Sequence, residues 1–189
     1  MKYKALLLTL ISLSFLGCKS ETNSGKYSQT PSYLDSSKNP DQFLGGIKMV
    51  PIQTPKGEFK VWTKRVGNNP SMKVLLLHGG PGMTHEIYES FDGYFPNAEI
   101  EYYYYDQLGS YYSDQPEDLS LWQLDRFVEE VEQVRLALGL DASNFYLYGQ
   151  SWGGILGMQY ALKYQEHLKG LIISNMVPSI PEYLSLIHI

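Results

Sequence analysis

The residue with the clearest chemical potential is Ser151, which lies in the segment Gly-Gln-Ser-Trp-Gly at 149–153. An apolar, β-rich run at 145–148 ends directly before this segment, and a helical pattern follows it. Glycines on both sides of the serine avoid the Cβ collisions of a very tight turn between a strand and a helix. The segment therefore predicts a nucleophilic serine whose hydroxyl stands clear of a sheet, flanked by Gly149 and Gly153.

A second glycine-rich segment, His-Gly-Gly-Pro-Gly at 78–82, follows the continuously apolar run at 73–77. Acyl transfer builds negative charge on the former carbonyl oxygen, and fixed backbone N–H groups stabilise that charge. We expect the amides of Gly80 and of Trp152, the residue after the serine, to form this oxyanion hole. The residues expected to support the two motifs are His78, Gly79, Pro81, Gly82, Gly149 and Gly153.

Three polar residues near these motifs are predicted to have structural roles. His78 is expected to orient the loop by hydrogen bonding instead of acting as a base. His85 precedes the serine in the chain and is expected to be a surface or helix-start residue. Asp106 is expected to be a hydrogen-bonding residue at a strand end, not a catalytic acid.

The elements that must hold these residues are predicted from hydrophobic patterns. Two β-rich runs, Ile47 to Thr54 and Glu58 to Val66, flank a Pro-Lys-Gly turn and predict an antiparallel hairpin. Further strands are predicted at 73–77, 100–105, 145–148 and 168–174. Because helical segments separate most of these strands, the fold class is α/β with a mostly parallel sheet.

Two helices are predicted between the later strands. The first runs from Leu121 to Leu138 on an apolar stripe, with a capping box at Ser120 and Gln123 and a left-handed cap at Gly139. The second runs from about Gly153 to Tyr164. Its apolar side chains are expected to belong to the core and to bind no cofactor.

Three segments together resemble the proline iminopeptidase family of α/β-hydrolases: His-Gly-Gly-Pro-Gly at 78–82, Asp-Gln-Leu-Gly at 106–109 and Gly-Gln-Ser-Trp-Gly-Gly at 149–154. The similarity runs from roughly Ile47 to Val177. It implies the α/β-hydrolase fold and the release of an N-terminal residue, typically proline, from a small peptide or amide through an acyl-enzyme. Leu108 and Tyr111 depart from the family pattern, which usually has Arg and Gly there.

The rest of the catalytic machinery is expected outside this chain. A serine needs a general base and a carboxylate that orients the base, and in this fold the acid and then the histidine follow the serine. None of the candidates after Ser151 follows a later strand: Glu166, His167, Glu182 and His188. We therefore expect a partial domain at 43–183, without the cap, the last strands or the triad Asp and His, and inactive by itself. The tail at 184–189 resembles a translated sequencing adapter.

The N-terminal residues have the pattern of an export signal. The apolar run at 5–16 is shorter than the roughly 20 residues that a spanning helix requires. Phe-Leu-Gly-Cys at 15–18 resembles a bacterial lipobox, which implies a lipoprotein signal peptide at 1–18 and lipidation of Cys18. The exported protein would then be anchored to a bacterial membrane, on the periplasmic side or at the cell surface. The polar segment at 19–42 is expected to be a flexible tether.

Composition limits the other partners and leaves two alternative functions. A net charge of −5, with tyrosines that do not interleave with Lys or Arg, argues against nucleic acid. We expect neither a cofactor nor a metal. The alternatives are a carboxylesterase or lipase-like hydrolase on the same scaffold, and a lipoprotein that keeps the hydrolase fold as a non-catalytic binding module.

Overall fold

The computed structural model describes Tyr33 and residues 44–176. The predicted signal peptide with Cys18, the tail at 184–189 and all of the predicted tether except Tyr33 lie outside the described residues. The Tyr33 hydroxyl donates a hydrogen bond of 3.2 Å to the carbonyl of Ile100. In the part of the chain that is described, no helix has the length and apolar character needed to cross a membrane.

Six strands form one mixed sheet in the order β1-β2-β4-β3-β5-β6. The strands are β1 (Ile47–Thr54), β2 (Gly57–Val66), β3 (Lys73–Leu77), β4 (Glu101–Asp106), β5 (Phe145–Gln150) and β6 (Gly170–Ser174). β2 pairs antiparallel with β1 and β4, and the remaining pairs are parallel. The predicted hairpin and the mostly parallel α/β sheet are therefore confirmed, with every predicted strand present.

Two α-helices, α1 (Leu124–Ala137) and α2 (Trp152–Tyr164), accompany the sheet. The predicted start of α1 is wrong, because residues 119–121 form a separate 3-10 turn. The Asp118 carboxylate accepts hydrogen bonds from the Ser120 amide at 2.9 Å and from the Ser120 hydroxyl at 2.6 Å, so Ser120 is not available to cap α1. Gln123 holds the N-cap position without a side-chain hydrogen bond. Gly139 follows the helix with a φ of 65°, as predicted for the C-terminal cap.

The sheet is covered on both faces. Leu75 and Leu77 of β3 belong to a core shared with α1 and α2, whereas Leu76 packs on the opposite face against Tyr88. Tyr88 lies in a 3-10 segment, His85–Gly93, that follows the glycine-rich loop. This double burial explains why β3 is continuously apolar. The neighbouring strands β4, β3 and β5 run parallel, so their carboxyl ends meet at one edge of the sheet.

A buried polar network connects α1 to the end of β4. Glu130 is 1% exposed, and its carboxylate accepts hydrogen bonds from the Leu108 amide at 2.9 Å and from the Tyr105 hydroxyl. Arg126, one turn earlier on α1, forms an ion pair with the same carboxylate. Burial, and then the nearby Glu130 charge, raise the pKa of Tyr105 well above its usual value, so its hydroxyl stays a donor. The loop that begins with Gln107 is thereby tied to the helical layer.

Candidate active site

Ser151 occupies the sharp turn between β5 and α2, with φ 54° and ψ −119°. A positive φ is unusual for a residue with a side chain and is sustained only when the surroundings hold it. Here the Ser151 amide donates to the Ser174 carbonyl at 3.0 Å, and the Ser151 carbonyl accepts from the Gly154 amide at 2.9 Å. The turn is thus fixed both to β6 and to the first turn of α2.

The two glycines that flank the serine are required sterically. A Cβ at Gly149 would lie 2.2 Å from the Gly153 carbonyl oxygen. A Cβ at Gly153 would lie 2.0 Å from the Leu77 carbonyl oxygen and 2.8 Å from that of His78. Since these neighbours are backbone atoms, no side-chain rotation could relieve either collision.

The glycine-rich loop at 78–82 lies directly against this turn. A Cβ at Gly79 would come within 2.7 Å of Gln150 Oε1 and 3.2 Å of Ser151 Cβ. Gly80 has a φ of 117°, and a Cβ there would lie 2.7 Å from the Gly82 amide nitrogen. The structure therefore brings together the two segments that the sequence singled out, with Pro81 and Gly82 completing the loop.

The two expected oxyanion donors have no competing acceptor. Among the described residues, neither the Gly80 amide nor the Trp152 amide donates a hydrogen bond. Trp152 is the first residue of α2, where backbone N–H groups have no intrahelical acceptor and carry partial positive charge. Both groups are thus available to an oxygen that develops negative charge beside Ser151.

His78 is fully buried and uses both of its ring nitrogens. Nδ1 donates to the Gly79 carbonyl at 2.9 Å, and Nε2 accepts from the Gln107 amide at 3.0 Å. Burial lowers the pKa of this imidazole, which favours the neutral form that the acceptor role requires. His78 is therefore arranged to orient the loop, since neither nitrogen is free to receive a proton from a hydroxyl.

His85 was expected at the surface or at a helix start, and it starts a 3-10 helix while its side chain is buried. Its side chain is buried and stacks on Trp62 with 4.4 Å between the ring centroids. The fully buried Asp106 accepts the His85 backbone amide at 2.8 Å and its Nδ1 at 2.9 Å. The carboxylate satisfies the polar atoms that burial would otherwise leave unpaired. Asp106 thus has the structural role expected at its strand end.

Gln107 belongs to the Asp-Gln-Leu-Gly segment at 106–109, but no role at the site was predicted for it. It is 1% exposed and contacts both His78 and the Trp152 side chain. The available signal was a polar residue directly after the buried strand β4, at the same edge of the sheet as the two motifs. A polar residue at that position reaches groups that lie far away in the sequence.

A cavity of about 450 Å³ opens beside this edge. Its walls are mostly apolar and include Pro81, Leu108, Trp122, Phe127 and Trp152. Ser110 also lines the cavity, and its buried hydroxyl has no hydrogen-bond partner among the described groups. No ionisable side chain contributes to the walls, so the cavity suits a neutral, largely apolar group.

The described histidines do not supply a base for Ser151. His78 and His85 are engaged as above, and His167 lies at the far end of α2, 3.3 Å from Glu132. Within residues 44–176 the Ser151 hydroxyl has no hydrogen-bond partner. His188 and Glu182 lie outside the described part. No cluster of His, Cys, Asp or Glu among the described residues could hold a metal ion.

Comparisons with known proteins identify relatives of this chain. The chain is 66% identical over 135 residues to a proline iminopeptidase of Flavobacterium johnsoniae. The aligned residues make up 71% of this chain and 46% of the relative. It is 65% identical over 136 residues to a proline iminopeptidase of Elizabethkingia meningoseptica, and these residues make up 72% of this chain and 46% of that relative. The chain thus spans about half the length of the curated relatives it matches.

A solved structure and a family model extend the comparison. The crystal structure of a proline iminopeptidase from Mycobacterium smegmatis superposes with a TM-score of 0.65 at 28% identity, covering 74% of this chain and 46% of that one. The family model for the alpha/beta hydrolase fold matches residues 73–186, from β3 through both glycine-rich motifs. Because this match covers more than half of the chain, the protein belongs to the α/β-hydrolase fold family.

Proposed function

We propose that the full-length protein is a serine hydrolase that releases an N-terminal residue, typically proline, from peptides or amides through an acyl-enzyme on Ser151. The similarity to proline iminopeptidases supports the peptidase class. The observation that carries the mechanism is the contact between the loop at 78–82 and the Ser151 turn, with two unengaged amides at Gly80 and Trp152.

The proposed reaction begins with attack of Ser151 Oγ on the carbonyl carbon of the N-terminal residue, as its proton passes to a general base. The carbonyl oxygen gains negative charge and accepts hydrogen bonds from the Gly80 and Trp152 amides. Collapse of this intermediate breaks the amide bond, and the base returns the proton to the leaving amine. Water then attacks the acyl-enzyme by the same route, releasing the free amino acid and restoring the serine.

The general base and its orienting acid are proposed to come from residues beyond the described ones. The described histidines support this assignment, because each is engaged with another group and none contacts Ser151. In this fold the acid and the histidine follow the serine along the chain. Residues 44–176 would then supply the nucleophile and the oxyanion donors.

The test compares two chromogenic substrates in the full-length protein. Proline p-nitroanilide should be hydrolysed, and Ser151→Ala should abolish that turnover because the nucleophile is lost. Fast hydrolysis of p-nitrophenyl acetate with no action on the anilide would favour the esterase alternative. Retained peptidase activity in Ser151→Ala would refute the assigned nucleophile. No reaction of Ser151 with a fluorophosphonate would favour the non-catalytic binding module.

We also propose that the protein acts at a bacterial membrane surface, held by lipid on Cys18. The lipobox-like residues at 15–18, after a short apolar run, support this proposal. Two or more acyl chains give stable anchoring, whereas a single chain is marginal. Peptides outside the cytoplasm would then be the accessible substrates.

A further inference from the structure

Gln107 lies between the two segments that carry the proposed oxyanion donors. Its side-chain Nε2 donates to the His78 carbonyl at 3.0 Å, two residues before Gly80. Its Oε1 accepts from the Trp152 indole Nε1 at 3.0 Å. Its backbone amide donates to His78 Nε2 at 3.0 Å. One residue thus contacts the loop twice and the serine turn once.

The strand order shows that the hydrogen bonds of Gln107 connect three neighbouring strand ends. Gln107 directly follows β4, the loop follows β3, and Trp152 follows β5, with β3 between the other two strands. The Gln107 side chain therefore spans the end of β3 and reaches the end of β5. No hydrogen bond between backbone atoms connects the loop at 78–82 directly to Trp152 among the described residues.

The bonds of Gln107 also require a defined amide orientation. Its donor nitrogen must face the His78 carbonyl and its oxygen must face the Trp152 N–H. A carboxylate of the same shape could accept from Trp152 but would oppose the His78 carbonyl. A methionine has no donor for the His78 carbonyl and offers the Trp152 N–H only a weakly accepting sulfur. Because the residue is 1% exposed, water could not replace the lost partners without entering the packed edge.

We propose that Gln107 is a positioning residue that sets the separation between the Gly80 and Trp152 amides, and thereby the geometry of the oxyanion hole. It also lines the cavity beside this edge, but both of its side-chain hydrogen bonds go to His78 and Trp152. It acts through His78 on one side and the Trp152 indole on the other. The inference rests on the proposed serine hydrolase function, but not on the choice of peptide over ester as substrate.

The test measures how fast Ser151 of the folded full-length protein reacts with a fluorophosphonate, whose phosphoryl oxygen occupies the oxyanion hole. Gln107→Met should slow this reaction roughly 10- to 100-fold, because misplaced donors lose much of their effect. Gln107→Glu should slow it as well. The matched control is Gln133→Glu on α1, which removes the hydrogen bond that Gln133 Nε2 donates to the Gln53 carbonyl, far from the serine, and should leave the rate unchanged.

A double-mutant cycle separates positioning from general packing. Trp152→Phe removes the indole N–H but keeps the backbone amide, so it should also slow the reaction. In the double variant with Gln107→Met, the two losses should not add, because both changes break the same hydrogen bond. Additive losses, or a Gln107→Met rate within about threefold of wild type, would overturn the proposal.

The remaining outcomes are also decisive. If Gln107→Met does not fold, Trp152→Phe alone decides, and an unchanged labelling rate in that variant would overturn the positioning role of Gln107. A wild-type protein that is labelled but does not cleave proline p-nitroanilide would contradict the peptidase proposal and leave the Gln107 test intact. A wild-type protein that is not labelled would overturn both the serine hydrolase function and this inference.

Discussion

Gly153 shows how little space the site leaves at the scale of single residues. Gly153→Ala should lower stability by about 1–3 kcal/mol or more, because the new Cβ would push against the Leu77 and His78 carbonyls. Labelling of Ser151 should fall with it. Gly93→Ala is the matched control, since a Cβ there meets nothing within 4 Å. Equal thermal midpoints for the two variants would contradict the steric argument.

His78 should make the stability of the domain depend on pH. Burial lowers its pKa in the folded state below the ordinary value of 6.5, so the unfolded chain binds more protons as the pH falls. The contribution of neutral His78 to the free energy of unfolding should therefore be fully present above about pH 6.5 and should decrease as the pH falls below that value. Thermal midpoints between about pH 8 and pH 5 should show a shallower decline for His78→Gln than for wild type. Parallel curves would show that other groups cause the loss.

At the residue scale, prediction from sequence succeeded where local sterics decide. A strand followed by Gly-x-Ser-x-Gly permits few backbone paths, and the structure has the sharp turn at Ser151 that the pattern predicts. The surroundings of His85 and Gln107 depend on strands that are distant in the sequence, so no local pattern reveals them. Tyr111 has a positive φ of 38°, a conformation that favours glycine, and the proline iminopeptidase pattern usually has a glycine at this position.

At the scale of elements, Glu130 joins α1 to the loop after β4. Glu130→Leu should destabilise the protein by about 3–5 kcal/mol, because the buried Arg126 guanidinium would lose its charge partner and the Leu108 amide its acceptor. Urea unfolding measures the loss. The matched control, Glu129→Leu, breaks an exposed ion pair with Lys163 and should cost no more than about 1 kcal/mol. Similar unfolding midpoints for both variants would refute a structural role for Glu130.

The elements themselves were largely predictable, because hydrophobic period and turn residues are local signals. The strands and α2 appear where these signals lie. The start of α1 was not predictable from a capping-box pattern, since Asp118 competes for Ser120 and forms a separate 3-10 turn. Competition between two nearby acceptors is decided by geometry that a sequence pattern does not contain.

For the whole molecule, the proposed anchor can be tested by removing one sulfur. Cys18→Ser should release the exported protein from the membrane fraction, because a serine lacks the thiol to which lipid is attached. Fractionation of cells with an antibody against the folded domain measures the distribution. Turnover in the soluble fraction should equal that of the anchored protein, because the proposed lipid on Cys18 holds the protein at the membrane and takes no part in the acyl-enzyme reaction. A Cys18→Ser protein that stays in the membrane fraction would contradict lipid attachment at this residue.

The hydrogen bond from the Ser151 amide to the Ser174 carbonyl has a consequence for synthesis on the ribosome. Ser151 leaves the exit tunnel before β6, the parallel strand whose end holds its turn, has been translated. Parallel pairing also requires closure of the intervening chain and is slow compared with local helix formation. We therefore expect the Ser151 turn to reach its final backbone geometry late, only after residue 174 has emerged and docked beside β5.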